Sequence, residues 1–219
     1  MITSRRFGLV VAGLAAGTLG LTGWPVVASA ATQPAGTQLI TVRAASSTAT
    51  TATFIAYRVL SGKRTRVLGP WTAHVGYRGV AAAGKKREGD GKTPAGTFNF
   101  SFFFGIKPSP GVKFSYRRIH GYDYWDDDPT SPRYNLWVDT RRYSAGRKPE
   151  PMDHPPFYDY GAVIGYNQAR TPGAGSAIFL HVAGRGATAG CVSLPVGELL
   201  KVLRWLDPTH APKIEISAV

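Results

Sequence analysis

The run Ile178-Phe179-Leu180-His181-Val182-Ala183-Gly184-Arg185-Gly186-Ala187-Thr188-Ala189-Gly190-Cys191-Val192-Ser193-Leu194-Pro195 contains the only cysteine of the chain. An apolar strand ends in a histidine. A loop broken by Gly184, Gly186 and Gly190 follows, and Cys191 then stands just before a helical pattern. A thiol attacks as its thiolate, and a neighbouring imidazole can take the proton. Nine residues lie between His181 and Cys191, enough for the loop to fold back and bring ring and sulfur together. Gly190 lets the backbone turn tightly. Main-chain N–H groups around Cys191 can then converge into an oxyanion hole.

Each piece also has a plainer meaning. A lone cysteine is as readily a small buried hydrophobe as a nucleophile. A strand-end histidine is commonly a hydrogen-bonded structural residue, and His74, His120, His154 and His210 are scattered along the chain. One cysteine with one nearby histidine falls short of a zinc site. No internal disulfide can form. The 13 acidic residues lie mostly in loops and offer no facing pair for glycoside hydrolysis.

Outward from this segment the chain reads as short strands and turns. Gln38 to Arg43, Phe54 to Leu60, Arg66 to Leu68, Trp71 to Val75, Phe98 to Phe104, Tyr158 to Tyr166 and Ser176 to Val182 are strand-like, and Lys213 to Ile216 is expected as a final edge strand. Ser61-Gly62-Lys63 is a turn. Pro195 to Leu206 has Leu199, Leu200, Leu203 and Leu206 at helical spacing, with Pro195 at the start and Pro208 beyond the end. The charged Gly84–Gly91 segment is expected as an exposed loop, and it lacks the ending of a phosphate-binding loop. Gly105 to Pro156 is irregular, dense in Pro, Tyr, Trp and charge, and is the candidate region for substrate contact. Its Asp126-Asp127-Asp128-Pro129 cluster reads as a solvated turn, because consecutive aspartates do not make a calcium loop. With 26 glycines, 16 prolines and one convincing helix, the pattern is mostly β.

At the N-terminus, Arg5 and Arg6 precede an apolar run from Phe7 to Gly23, and Ala28-Ser29-Ala30 closes it. This is the layout of a secretion signal over residues 1–30, cleaved after Ala30. The arginine pair hints at the twin-arginine route. The rival is an uncleaved anchor, the only circumstance in which membrane becomes a partner; at about 17 residues the run is marginal for a span. Residues 31–69 are an N-terminal extension or the first strands. The formal charge is +13, and the leader contributes only its arginines to it. A basic exported protein is drawn to anionic wall polymers, while export separates it from nucleic acid.

The segment resembles the catalytic signature of the L,D-transpeptidases, the YkuD-like family: a strand ending in His, a glycine-containing loop, then Ser/Thr-His-Gly-Cys and an apolar residue. Here the second part is Thr188-Ala189-Gly190-Cys191-Val192. Upstream, Gly89-Asp90-Gly91-Lys92-Thr93-Pro94-Ala95-Gly96-Thr97-Phe98 is similar to the family's Gly-x-x-x-Thr-Pro-x-Gly-x-Phe segment. The two motifs bracket residues 70–219 as the catalytic domain. The resemblance implies a β-sandwich of mixed sheets with a short C-terminal helix. It makes Cys191 the nucleophile and His181 the base and acid, with the Val182 carbonyl orienting the ring. It places Thr188 at the hydroxyl position and the Gly190 and Cys191 amides at the oxyanion hole. There are departures. Ala189 stands where the family has a second histidine. Ser193 stands where an arginine is frequent, so an anionic substrate group would be held elsewhere, by Arg185.

The function so implied is an exported cysteine acyltransferase that cross-links peptidoglycan stem peptides through a Cys191 thioester, without metal or organic cofactor and open to acylation by carbapenems. Two alternatives stand beside it: an L,D-carboxypeptidase or endopeptidase on the same peptides, and a non-catalytic basic wall-binding protein. A papain-like peptidase has Cys before His, the reverse of the order here.

Overall fold

The computed structural model describes residues 36–219; the expected secretion signal lies outside them. The strands are β1 (Thr37–Ala44), β2 (Thr51–Leu60), β3 (Lys63–His74), β4 (Val80–Ala81), β5 (Thr93–Pro94), β6 (Gly96–Gly105) and β7 (Tyr116–Arg118) in the first half. They continue as β8 (Asp123–Asp126), β9 (Leu136–Asp139), β10 (Glu150–Pro151), β11 (Gly161–Ile164), β12 (Phe179–Val182), β13 (Val192–Leu194) and β14 (Lys213–Ala218), with the helix α1 (Val196–Trp205) between the last two.

A nine-stranded mixed sheet runs β11-β12-β13-β3-β2-β1-β14-β6-β7, and β11 also pairs with β6. The ladder therefore closes on itself, and its halves face each other across one core. Alternation builds that core. Ile40, Val42 and Ala44 of β1, Phe54 and Ala56 of β2, and Ile214 and Ile216 of β14 point inward and are buried. Thr41 and Arg43 lie on the opposite face of β1, as the two-residue period of a strand requires. α1 closes one side with Leu199, Val202 and Leu203.

Residues 37–69 are thus the first strands of this sheet. β14 is not an edge: it pairs in parallel with β1 and antiparallel with β6. Its Ile214 and Ile216 need cover on the core face, and its backbone is bonded on both sides. β3 is one continuous strand through Gly69-Pro70, where its register with β2 shifts. Gly69 has φ +82, and a Cβ there would stand 2.5 Å from the Phe54 carbonyl oxygen. Only glycine fits.

The Gly105–Pro156 region is more ordered than its composition suggests. β8 pairs with both β9 and β10 in a three-stranded sheet. Trp125 and Met152 from it enter a second core cluster with Phe104, Tyr158, Phe179 and Cys191. Phe179 meets Phe104 and Trp125 edge-on, with ring centroids 5.2 and 5.0 Å away. This cluster is the wall behind the cysteine.

The aspartate cluster is not a solvated turn. Asp126 is fully buried and Asp128 nearly so. Asp126 accepts from the Asp128 and Gly146 amides at 3.1 and 3.0 Å and from the Ser131 hydroxyl. The carboxylate organises the loop because chain on both sides folds over it. Asp127 is partly buried, and burial together with Glu88 pushes its carboxyl up to about 6.

The two neighbours should therefore respond in opposite ways. Asp126→Ala strands buried donors and is expected to lower the unfolding free energy by about 2–4 kcal/mol. Asp127→Asn removes a disfavoured charge and is expected to leave stability at pH 7 unchanged or raised. Urea denaturation of both variants measures the difference.

Candidate active site

β12 and β13 are parallel neighbours in the register Leu180–Val192, His181–Ser193 and Val182–Leu194. Cys191, one residue before β13, consequently shares a face with Phe179, His181 and Ser193. Strand spacing and rise put the His181 and Cys191 α-carbons about 8 Å apart on the diagonal. That separation lets imidazole and thiol face one space. Both line a cavity of about 200 Å³, together with Glu150, His154, Phe157, Tyr158, Gly184 and the 186–189 segment.

The Cys191 main chain is held by hydroxyls from both sequence motifs. Thr188 Oγ1 donates to the Cys191 carbonyl at 2.7 Å, and Thr93 Oγ1 donates to the same oxygen at 3.2 Å. Thr93 Oγ1 accepts from the Gly76 amide at 2.8 Å. Thr188 is itself pinned to the end of β3: its amide donates to the Val75 carbonyl and its carbonyl accepts from the Tyr77 amide. Gly190 sits at φ +151, and a Cβ there would stand 2.9 Å from the Lys92 carbonyl oxygen. The tight turn before the cysteine therefore requires glycine.

One expected donor is spent elsewhere. The Gly190 N–H donates to Thr188 Oγ1 at 3.1 Å, which removes it from the expected oxyanion pair and leaves the Cys191 N–H. Ser193 lines the cavity floor but is almost wholly buried beside His181, and its hydroxyl has no partner among the described residues. It is placed beneath the site, not where it could grip a large anion. Arg185 is exposed and does not line the cavity. Ala189 is exposed at the rim.

The His181 ring is fixed by Nδ1 against the Val182 carbonyl at 2.8 Å, which leaves Nε2 as the basic nitrogen. Tyr158 packs edge-on to the ring at 5.5 Å. Burial, offset in part by the Val182 carbonyl and reinforced by His154, pulls the imidazole down to about 4. Cys191 is 8 % exposed, and its thiol is hydrogen-bonded to backbone. It accepts from the Phe179 amide at 3.4 Å and donates to the Ala177 carbonyl at 3.2 Å. Burial pushes it up to about 12; the Phe179 bond opposes this, Glu150 adds to it and Lys86 opposes it. The resting pair is a neutral thiol beside a neutral imidazole.

Several lining residues escaped the sequence. Glu150, His154, Phe157 and Tyr158 reach the cavity from the far end of the irregular region and the chain just after it. Glu150 and His154 fall within the stretch expected to touch substrate, but no spacing ties them to Cys191. Lys86 corrects the expectation of a wholly exposed Gly84–Gly91 loop. It is 4 % exposed, runs beneath Gly190, and is paired with Asp90. The partly buried Asp90 carboxylate is what allows a lysine there.

The model of the L,D-transpeptidase catalytic domain, YkuD, matches residues 47–216. The chain belongs to this family. The match starts well before residue 70, in keeping with β2 and β3 being strands of the domain's main sheet. Among solved structures, the YkuD domain is similar to the helical cell shape determining protein Pgp2 from Campylobacter jejuni, at 14% identity and a TM-score of 0.36. The similarity covers 82% of this chain and 48% of that one, so the chain spans about half the length of that protein. No curated protein matches the chain.

His181 gives the site a signature in stability. At pH between about 6.5 and 4 the unfolded histidine binds a proton that the folded one refuses. Its contribution is present above pH 6.5 and is lost as pH falls through that window. At roughly 1.4 kcal/mol per pKa unit the loss is about 3 kcal/mol. His181→Gln is expected to flatten this part of the wild-type curve, read as the difference between the two proteins in urea melts from pH 7 to pH 4.

Proposed function

We propose that the protein is an exported cysteine acyltransferase that cross-links peptidoglycan stem peptides by L,D-transpeptidation. The observation that carries this is the shared cavity: Cys191 and His181 open onto it from adjacent strands, with the imidazole oriented by the Val182 carbonyl. Family membership and the export-type leader support it. Among the described residues no helix is long and apolar enough to cross a membrane.

In the first step His181 Nε2 takes the thiol proton as Sγ attacks the carbonyl of the L-centre residue, and a bond from sulfur to carbon forms. The Cys191 N–H donates to the oxyanion. The carbon–nitrogen bond to the terminal D-residue breaks, and His181 returns the proton to the departing amine. In the second step the amine of a neighbouring stem attacks the thioester and gives its proton to His181. The new amide forms and the thiol is regenerated. Because both partners rest neutral, proton transfer accompanies attack in place of a preformed ion pair. Carbapenems would acylate the same sulfur.

The basic surface supports anionic wall polymers as partners. Arg117, Arg118, Arg141 and Arg142 line a separate cleft of about 410 Å³. Arg117 lies over the Phe102 and Trp137 rings at 4.6 and 4.9 Å, and Arg141 over Tyr122 at 3.5 Å. Such stacking positions the Arg117 guanidinium for phosphate or carboxylate, while Arg141 is paired with Asp139.

One observation favours the non-catalytic alternative: the thiol is nearly buried and hydrogen-bonded to backbone on both sides. The experiment separates the two. Incubation with disaccharide-tetrapeptide is expected to produce a thioester on Cys191, seen by mass spectrometry, and a cross-linked product when an acceptor stem is added. Hydrolysis alone would mark the carboxypeptidase. Cys191→Ala is expected to abolish both steps, and His181→Ala to slow acylation by about 10²–10⁴-fold. Turnover by Cys191→Ala at the wild-type rate would sink the mechanism.

A further inference from the structure

The cavity beside Cys191 has an unexpected sign. No lysine or arginine lines it, and its one acidic residue is Glu150. Lys86, the nearest buried cation, lies behind Gly190 and is committed to Asp90 and the Arg87 carbonyl. Arg185, the residue expected to hold an anionic group, is outside.

Glu150 is held in place. Its backbone pairs with Trp125 in the small sheet. Its Oε1 accepts from the Tyr158 hydroxyl at 2.7 Å. Tyr158 is buried between Phe179 and the His181 ring, edge-on to both. One phenol therefore fixes the carboxylate on one side and packs against the base on the other. Oε2 has no partner among the described residues.

This placement works against the chemistry of the free protein. A carboxylate near a nucleophilic thiol disfavours the thiolate, and Glu150 raises the Cys191 thiol in that way. The opposition disappears once a cation docks on the carboxylate. Stem peptides carry a cation of the right kind when their L-centre residue is a diamino acid with a free amine.

We propose that Glu150, positioned by Tyr158, forms a subsite for a primary ammonium group of the stem peptide. The subsite selects amine-bearing stems through the Glu150 carboxylate, the one acidic side chain that lines the cavity. This deepens the acyltransferase function and rests on it for the identity of the ligand, but its test is partly independent of turnover.

The test uses Glu150→Gln, which keeps an oxygen for the Tyr158 hydroxyl. Iodoacetamide labelling of Cys191 in the resting protein is expected to quicken several-fold in the variant. Thioester formation with a tetrapeptide bearing a free side-chain amine is expected to slow about 10- to 100-fold, mainly through KM. Acetylating that amine should bring wild type down to the variant's rate and leave the variant unchanged. If acylation holds and only transfer to an amine acceptor slows, the ammonium is the acceptor's. Binding to Cys191→Ala protein, by calorimetry, needs no chemistry: the free amine should bind about 10- to 100-fold tighter than the acetylated peptide, and Glu150→Gln should erase the gap. A wild type that forms no thioester yet shows this gap overturns the acyltransferase and not the subsite. Equal binding of the two peptides, binding of neither, or parallel loss of labelling and acylation in Glu150→Gln overturns the subsite.

Discussion

The Cys191 carbonyl oxygen receives two threonine hydroxyls, Thr188 from three residues upstream and Thr93 from nearly a hundred. The rest of the site depends on this junction. Gly190 is at a φ that leaves its turn with few alternatives, and Thr188 Oγ1 takes the Gly190 amide while giving its own proton to Cys191. Thr188 is tied in turn to the end of β3 through Val75 and Tyr77. The upstream Thr-Pro segment is thus a clamp on the Cys191 backbone. A hydroxyl is needed because it donates to one carbonyl and accepts from an amide at the same time, as both threonines do.

Holding the backbone this firmly decides how the side chains meet. The parallel pair β12 and β13 sets His181 and Cys191 on one face, and the aromatic wall of Phe104, Trp125, Tyr158 and Phe179 keeps water from behind. Dryness has opposite effects on the two groups. It lifts the thiol and depresses the imidazole, so the two rest as a neutral pair. A substrate that brings charge into this space changes the balance more than it would in water, since the surrounding dielectric is low.

What the sequence revealed was local. The strand that carries His181, the glycine turn at Gly190 and the helix after Pro195 are all written in neighbouring residues. So is the alternation of β1, β2 and β14. What stayed hidden required knowing which distant segments touch. Asp126 reads as solvent-exposed until Gly146 and Ser131 are seen to fold onto it. Lys86 reads as exposed until Asp90 and the cysteine loop enclose it. β14 reads as an edge because nothing in Lys213–Ala218 reveals that β1 and β6 flank it. Glu150 was invisible for the same reason: its importance comes from Tyr158, whose partner His181 lies beyond a further strand.

The departures from the family pattern become intelligible together. With Ala189 at the rim and Ser193 buried beside His181, neither motif position supplies the imidazole or the arginine that the pattern would place there, and His154 lines the cavity from another segment. Both replacements remove groups that could be positive. The acidic residue of the cavity, Glu150, then faces no fixed cation across it. A site built this way is electrically incomplete without its ligand, and completing it is work that the substrate's own charge can do at the moment of binding. Interactions realised only when the correct substrate is in place favour that substrate over competitors.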